Sequence, residues 1–332
     1  MAVTPQTNTT LSAMAEELKK HDGFVLCGHV NPDGDCLGSQ LALALALRSL
    51  GKRATCVLAS SNAIEAGLEF LPGIADMVPA SQFDGEVRTF IACDVPTPSR
   101  MGEGAQVQER AEVRFTVDHH AVPESMSHFN YVDPDSPATG MLIWQLIKEL
   151  GVTPSPEMAL CCYVALMTDT GRFQYQNTTA EAFVAAGEMV AAGASPSLAA
   201  REVYQSRTSA SIQLERIMLE NMQVAEDGLW ALSYVTLADF ERTGAVKADA
   251  EPLIDTLRSL KGVKAACMLR EQVDCVRGSL RAKGDELDVA ELARSIGGGG
   301  HKAAAGFTFE GQLADALAVL PERLDALCEA VR

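Results

Sequence analysis

Short apolar runs recur through the first half of this chain, and several lead into His or Asp. Phe24–Cys27, 52–58, Thr89–Cys93 and 113–117 have the length and the β-branched or aromatic content of buried strands. Helical patterns separate such runs from residue 23 to about 190. Residues 38–48 are good helix formers closed by Gly51, and 137–150 and 156–168 each carry a proline near the start. Strands alternating with helices predict an α/β domain, a mostly parallel sheet flanked by helices. Two polar helical segments follow, 197–204 and 209–224, and read as a connector. Beyond them 229–235 predicts a strand, 263–270 with 273–281 a hairpin, 288–296 a helix and 307–309 another strand, which together make a smaller α/β domain. The expected boundaries are 1–192, 193–226 and 227–332.

The apolar runs end on metal-binding chemistry. His29-Val30-Asn31-Pro32-Asp33-Gly34-Asp35 follows the first, Asp94 follows Cys93, and Asp118-His119-His120 follows Val117. Asp169 follows the apolar run 163–168 and is expected in the same kind of place. Loops at strand ends open into the crevice at the carboxyl edge of a sheet, where rigid backbone holds ligands. In an extended loop Asp33 and Asp35 point opposite ways and serve neighbouring ions, with Gly34 letting the backbone turn. Adjacent side chains 118–120 cannot all reach one metal, so one histidine is expected to bind it and the other to face substrate. Asp33, Asp35, Asp94 and Asp169 carry four negative charges, which two divalent cations balance. Without metal these carboxylates raise one another's pKa. A mixed His/Asp set favours Mn²⁺, with Mg²⁺, Co²⁺ or Fe²⁺ as alternatives.

Composition narrows the substrate. The 332 residues are 47% hydrophobic and 21% charged, enough core for two soluble domains. The net charge of −17, with no basic stripe, argues against gripping long nucleic acid, so the substrate is expected to be small or short. The nine cysteines form no CxxC pair and read as buried reduced thiols. No secretory signal and no membrane-length apolar run is visible, which predicts a cytoplasmic protein without a membrane partner. One further motif stands near the end: Gly297-Gly298-Gly299-Gly300-His301-Lys302-Ala303-Ala304-Ala305-Gly306. Glycines at a helix end expose N–H groups that cradle anions. His301 and Lys302 add donors, and Ser279 and Arg281 at the end of the hairpin can join them.

These residues together resemble the DHH/DHHA1 phosphoesterase superfamily, over nearly the whole chain. Size and layout are similar to its bifunctional oligoribonuclease/pAp phosphatase branch. The resemblance implies one metal on His29, Asp33 and Asp94, and a second on Asp35, Asp94, His119 and Asp169, with Asp94 bridging. It implies that Asp118 orients its neighbours and that His120 faces the phosphate. It gives substrate holding to Gly298, Gly299, Gly300 and His301, with Arg281 beside them, and matches Arg100 to a frequent family arginine. The chain departs from its relatives at Ala165-Leu166, where Gly-Ile is frequent; this is expected to change packing only. The implied activity is two-metal hydrolysis of short oligoribonucleotides, and of 3'-phosphoadenosine 5'-phosphate (pAp) to AMP, in a cleft between the domains of a homodimer. A cyclic- or linear-dinucleotide phosphodiesterase and a manganese pyrophosphatase are the rival enzymes. A nucleotide sensor without catalysis is the rival of another class.

Overall fold

A computed structural model describes residues 7–121, 125–284 and 286–332, and the chain divides into two compact units, 1–206 and 207–332. The first unit is built on six strands: β1 (Phe24–Cys27), β2 (Ala54–Leu58), β3 (Val78–Pro79), β4 (Thr89–Cys93), β5 (Val113–Asp118) and β6 (Phe129–Val132). They form one all-parallel sheet in the order β3-β2-β1-β4-β5-β6. Chain direction across the sheet reverses between β1 and β4, and the crevice beyond the carboxyl ends of two such strands is where open α/β sheets bind ligands. β1 runs into His29 and β4 into Asp94.

Among the described residues this unit has seven helices: α1 (Leu11–Lys19), α2 (Gly34–Ser49), α3 (Gly104–Glu109), α4 (Thr139–Glu149), α5 (Pro156–Asp169), α6 (Ala180–Ala191) and α7 (Pro196–Tyr204). α2 is buried almost all round, as its Leu/Ala composition requires, and packs against α5. A Cβ on Gly34 would lie 2.5 Å from the Thr168 hydroxyl. Glycine there lets the start of α2 meet the end of α5, which brings Asp33 and Asp35 beside Asp169.

Two local expectations change. α2 begins at Gly34 rather than residue 38, so Asp35 lies in its first turn and only Asp33 remains extended, as the N-cap. The helix expected over 156–168 is α5, and Asp169 is its last residue rather than a residue at a strand end. Tyr163–Thr168 is apolar because α5 is buried on nearly every side, a pattern that mimics a buried strand.

The second unit contains α8 (Ser209–Glu220), β7 (Gln223–Val224), β8 (Trp230–Val235), α9 (Leu237–Thr243), α10 (Leu253–Ser259), β9 (Ala265–Glu271), β10 (Cys275–Ala282), α11 (Val289–Ser295), β11 (Gly298–His301), β12 (Ala304–Glu310) and α12 (Leu313–Cys328). Its mixed sheet has the order β11-β12-β10-β9-β8-β7, antiparallel except for β8 with β9. One apolar cluster lies under α11 and α12 and another under α8 and α10, so helices cover both faces. The glycine run follows the end of α11 directly, as expected, but 298–301 are extended: they form strand β11 at the sheet edge, paired among the described residues with β12.

Candidate metal centre

The end of β1 comes close to its neighbours. A Cβ on Gly28 would sit 2.1 Å from Cys36 Sγ and 3.0 Å from the Cys93 carbonyl, so only glycine admits the turn that delivers His29. Asp33 accepts the Cys36 N–H at 3.0 Å through Oδ1 and keeps Oδ2 towards His29. Asp94 takes a left-handed backbone (φ 55), uncommon outside glycine, while its N–H still donates to the Val117 carbonyl at 3.0 Å. The Arg100 carbonyl accepts the Val30 N–H at 2.8 Å and ties the Asp94 loop to the His29 loop; the Arg100 side chain itself is exposed.

His29 and His119 face the two oxygens of Asp94 and bring Asp33, Asp35 and Asp169 around it. His29 Nε2 lies 3.5 Å from Asp94 Oδ2 and 3.7 Å from Asp33 Oδ2. His119 Nε2 lies 3.5 Å from Asp94 Oδ1, 3.5 Å from Asp169 Oδ2 and 3.8 Å from Asp35 Oδ2. The Asp94 carboxylate therefore stands between two donor groups, with one oxygen turned to each. These separations exceed good hydrogen bonds. Two polar atoms here, His29 Nδ1 and Asp118 Oδ2, are buried with no hydrogen-bond partner among the described residues. Oxygen and imidazole donors are the types that first-row divalent cations accept, so the donor set fits two such ions.

The neighbouring bonds orient these donors. His119 Nδ1 is 3.2 Å from the Ser136 carbonyl, so it carries the proton and Nε2 keeps its lone pair for a metal. Asp118 Oδ1 accepts the backbone N–H groups of His119 and His120 and the His120 Nδ1–H, the last at 2.8 Å. His120 thus has one ring nitrogen already engaged. Asp35, nearly fully buried, accepts the N–H of Thr139 and of Gly140, each at 2.7 Å, and the Ser39 hydroxyl.

Charge is unbalanced without cations. Burial, then Asp94 and Asp169, push the Asp35 carboxyl up. Burial also raises Asp169 to about 7; the opposing pull of His119 is outweighed with the help of Asp33 and Asp94. Burial alone would lower His119, but Asp169, Asp94 and Asp35 lift it to about 10. His29 is likewise raised against its burial, by Cys36, Asp33 and Asp94. Asp94 is held low despite its burial, by His29, His119 and His120.

In the second unit, sheet register aligns the other expected residues. Ser279, Gly306 and Gly299 form one row across β10, β12 and β11, and Arg281, Ala304 and His301 form the next. Gly298 and Gly300 alternate with these along the edge strand.

Residues 23–166 match the DHH family, N-terminal domain, and residues 231–332 match the DHHA1 domain. A bifunctional oligoribonuclease and PAP phosphatase NrnA of Thermus thermophilus is 30% identical, over 90% of this chain and 88% of that protein. The chain belongs to the DHH phosphoesterase family. It is accordingly a metal-dependent hydrolase. The Bacillus subtilis protein of the same name is 27% identical over 86% of this chain and 89% of its own length. An exopolyphosphatase-related protein from Bacteroides fragilis has the same fold, with a TM-score of 0.88 at 27% identity, covering 95% of this chain and 96% of that one.

Several residues of this DHH centre lie outside its sequence motifs. Thr139 donates its hydroxyl to Asp94 Oδ1 at 3.0 Å. Asn177 donates to the carbonyls of Asp169 (3.1 Å) and Pro137 (3.0 Å), joining the end of α5 to the segment before α4. Cys36 lies among the donors of His29 and Asp94. One local signal pointed to Thr139. Ala138, at the N-cap of α4, has no side chain to cap the helix, so its first N–H groups needed a partner from elsewhere.

Proposed function

We propose that this chain hydrolyses short oligoribonucleotides and linear dinucleotides to mononucleotides, and pAp to AMP. The observation that carries the proposal is the divided Asp94 carboxylate, facing His29 through one oxygen and His119 through the other. Relatives named as oligoribonuclease and PAP phosphatase, similar over most of their length, support the substrate class.

In this reading His29, Asp33 and Asp94 hold one cation. Asp35, Asp94, His119 and Asp169 hold the other, and Mn²⁺ suits the mixed set. Bound ions supply positive charge that favours ionising a water and stabilises phosphoryl oxygens. The protein does the rest. α4 fixes Asp35 and Asp94 through backbone and hydroxyl donors. Asp118 holds His120 by Nδ1 and so sets the direction in which the ring is turned to meet the phosphate. Ser279, Arg281, Gly298, Gly299, Gly300 and His301 are assigned recognition of the other end of the substrate, with Arg100 a further phosphate contact. The charge of −17 gives long polyanions no attraction. The protein is proposed to act in the cytoplasm as a homodimer; no single helix among the described residues is long and apolar enough to cross a membrane.

The test is turnover of a panel with Mn²⁺: RNA from dinucleotides to about two dozen nucleotides, pAp, pGpG, cyclic di-AMP and pyrophosphate. Rapid cleavage of dinucleotides and pAp is expected. Turnover confined to cyclic di-AMP or to pyrophosphate refutes the proposal.

A further inference from the structure

Cys36 is a side chain at the metal centre that no role assigned so far uses. It follows Asp35 in the first turn of α2 and is fully buried. Its Sγ, a ring nitrogen of His29 and a carboxylate oxygen of Asp94 all lie within 4.8 Å of one another. Two bonds of about 2.0–2.3 Å from a shared ion span nearly that distance.

The hydrogen bonds at this sulfur run one way. Sγ accepts the His29 backbone N–H at 3.3 Å and the Gln40 side-chain N–H at 3.4 Å, it interacts with the His29 ring, and among the described residues it donates to no carbonyl. The nearby thiols of Cys27 and Cys56 do the opposite, each donating to a backbone carbonyl. A neutral thiol is a weak acceptor, whereas donors aimed at sulfur are the usual support of a metal-bound cysteine. His29 supplies a second observation. It is only 6% exposed, its Nε2 faces Asp33 and Asp94, its Nδ1 has no hydrogen-bond partner among the described residues, and its ring interacts with the Cys36 thiol.

We propose that Cys36 Sγ is a further ligand to the cation held by His29 and Asp94. This half of the centre then prefers a thiophilic first-row ion such as Co²⁺, Zn²⁺ or Fe²⁺, because thiolate is a soft donor. The other half has no sulfur and keeps the preference of a His/Asp set. As the metal–sulfur bond forms, the thiol proton passes to solvent, and no oxidant or reductant is involved. The proposal rests on the two-cation reading of the site.

Cobalt separates the two ideas. Metal-free protein is titrated with Co²⁺ and its absorption recorded. Visible ligand-field bands are expected together with a near-ultraviolet sulfur-to-cobalt charge-transfer band. Cys36→Ala should lose the charge-transfer band and keep the visible ones, and Cys36→Ser should behave alike. Visible bands without charge transfer in the wild type, or an undiminished charge-transfer band in Cys36→Ala, overturn the sulfur ligand and leave the cation site standing. Absence of every cobalt band overturns both. X-ray absorption of the zinc-loaded wild type decides the matter without a variant: a sulfur scatterer at about 2.3 Å supports the ligand, and a shell of nitrogen and oxygen alone rejects it.

Discussion

Thr139→Val tests how α4 controls the metal centre. Valine keeps the shape of the side chain and the backbone N–H that holds Asp35, and it removes only the hydroxyl that donates to Asp94 Oδ1 at 3.0 Å. Thr139 is fully buried and Asp94 is 2% exposed, so water cannot readily replace the lost donor. A hydrogen bond to a charged group contributes about 1.5–3 kcal/mol, or roughly 10- to 150-fold in an equilibrium constant. Loss of an outer partner of a metal ligand typically weakens metal affinity by about 10–100-fold, so two independent scales agree. Because Asp94 faces both donor groups, the loss should fall on both ions. Isothermal titration with Mn²⁺ should show weakened binding at both sites, with most of the affinity restored in Thr139→Ser. KM for a dinucleotide at saturating metal should barely move. A Thr139→Val protein that binds Mn²⁺ as tightly as the wild type would refute the reasoning.

Other expectations follow from the same geometry. Asp94→Asn should lose metal from both sites and Asp33→Asn chiefly from one, as read by metal analysis; two full equivalents retained in Asp94→Asn would end the bridging assignment. His120→Ala should bind metal normally while kcat falls by about 10²–10³, the scale for losing one charge-stabilising donor; metal loss equal to that of His119→Ala would contradict it. Metal-free protein should lose thermal stability as pH rises. Asp169, raised from 3.8 to about 7, keeps a proton in the folded state that the unfolded chain has shed, so stability falls across that window. His119, raised from 6.5 to about 10, contributes stability below 6.5 that is lost as pH climbs through 10. Saturating Mn²⁺ should flatten this slope, and a melting temperature equally flat without metal would count against it. Arg281→Ala should raise KM for a dinucleotide without changing metal content; unchanged kinetics would remove it from recognition.

Much of the centre could be read locally, because the chain announces it locally. His29, Asp94 and Asp118-His119-His120 stand directly after apolar runs, and a parallel sheet delivers residues in that position to one edge. What could not be read depends on partners far along the chain. Asp35 caps α4 from 104 and 105 residues away, and Thr139 reaches Asp94 across 45. No spacing rule links such positions. Asp169 is expected in a strand-end position although 156–168 already reads as a helix, because a helix buried on nearly every side loses its amphipathic period and its last apolar run resembles a strand. The glycine run carries no strand propensity of its own. It becomes β11 because β12 offers a ladder only a two-residue turn away, at Lys302-Ala303.

The backbone at Asp94 narrows the routes by which such a chain can change over evolutionary time. The position asks for a carboxylate and for a left-handed conformation that costs most residues about 1–2 kcal/mol. Asn and Gly tolerate that conformation; Ala and Glu do not, although Glu would keep the charge. A lineage that abandons hydrolysis while keeping the fold is therefore channelled through Asn or Gly at 94. Either change would leave the sheet, the helices and the second unit in place. The residue at this one point distinguishes a descendant that still cuts phosphate esters from one that only holds them.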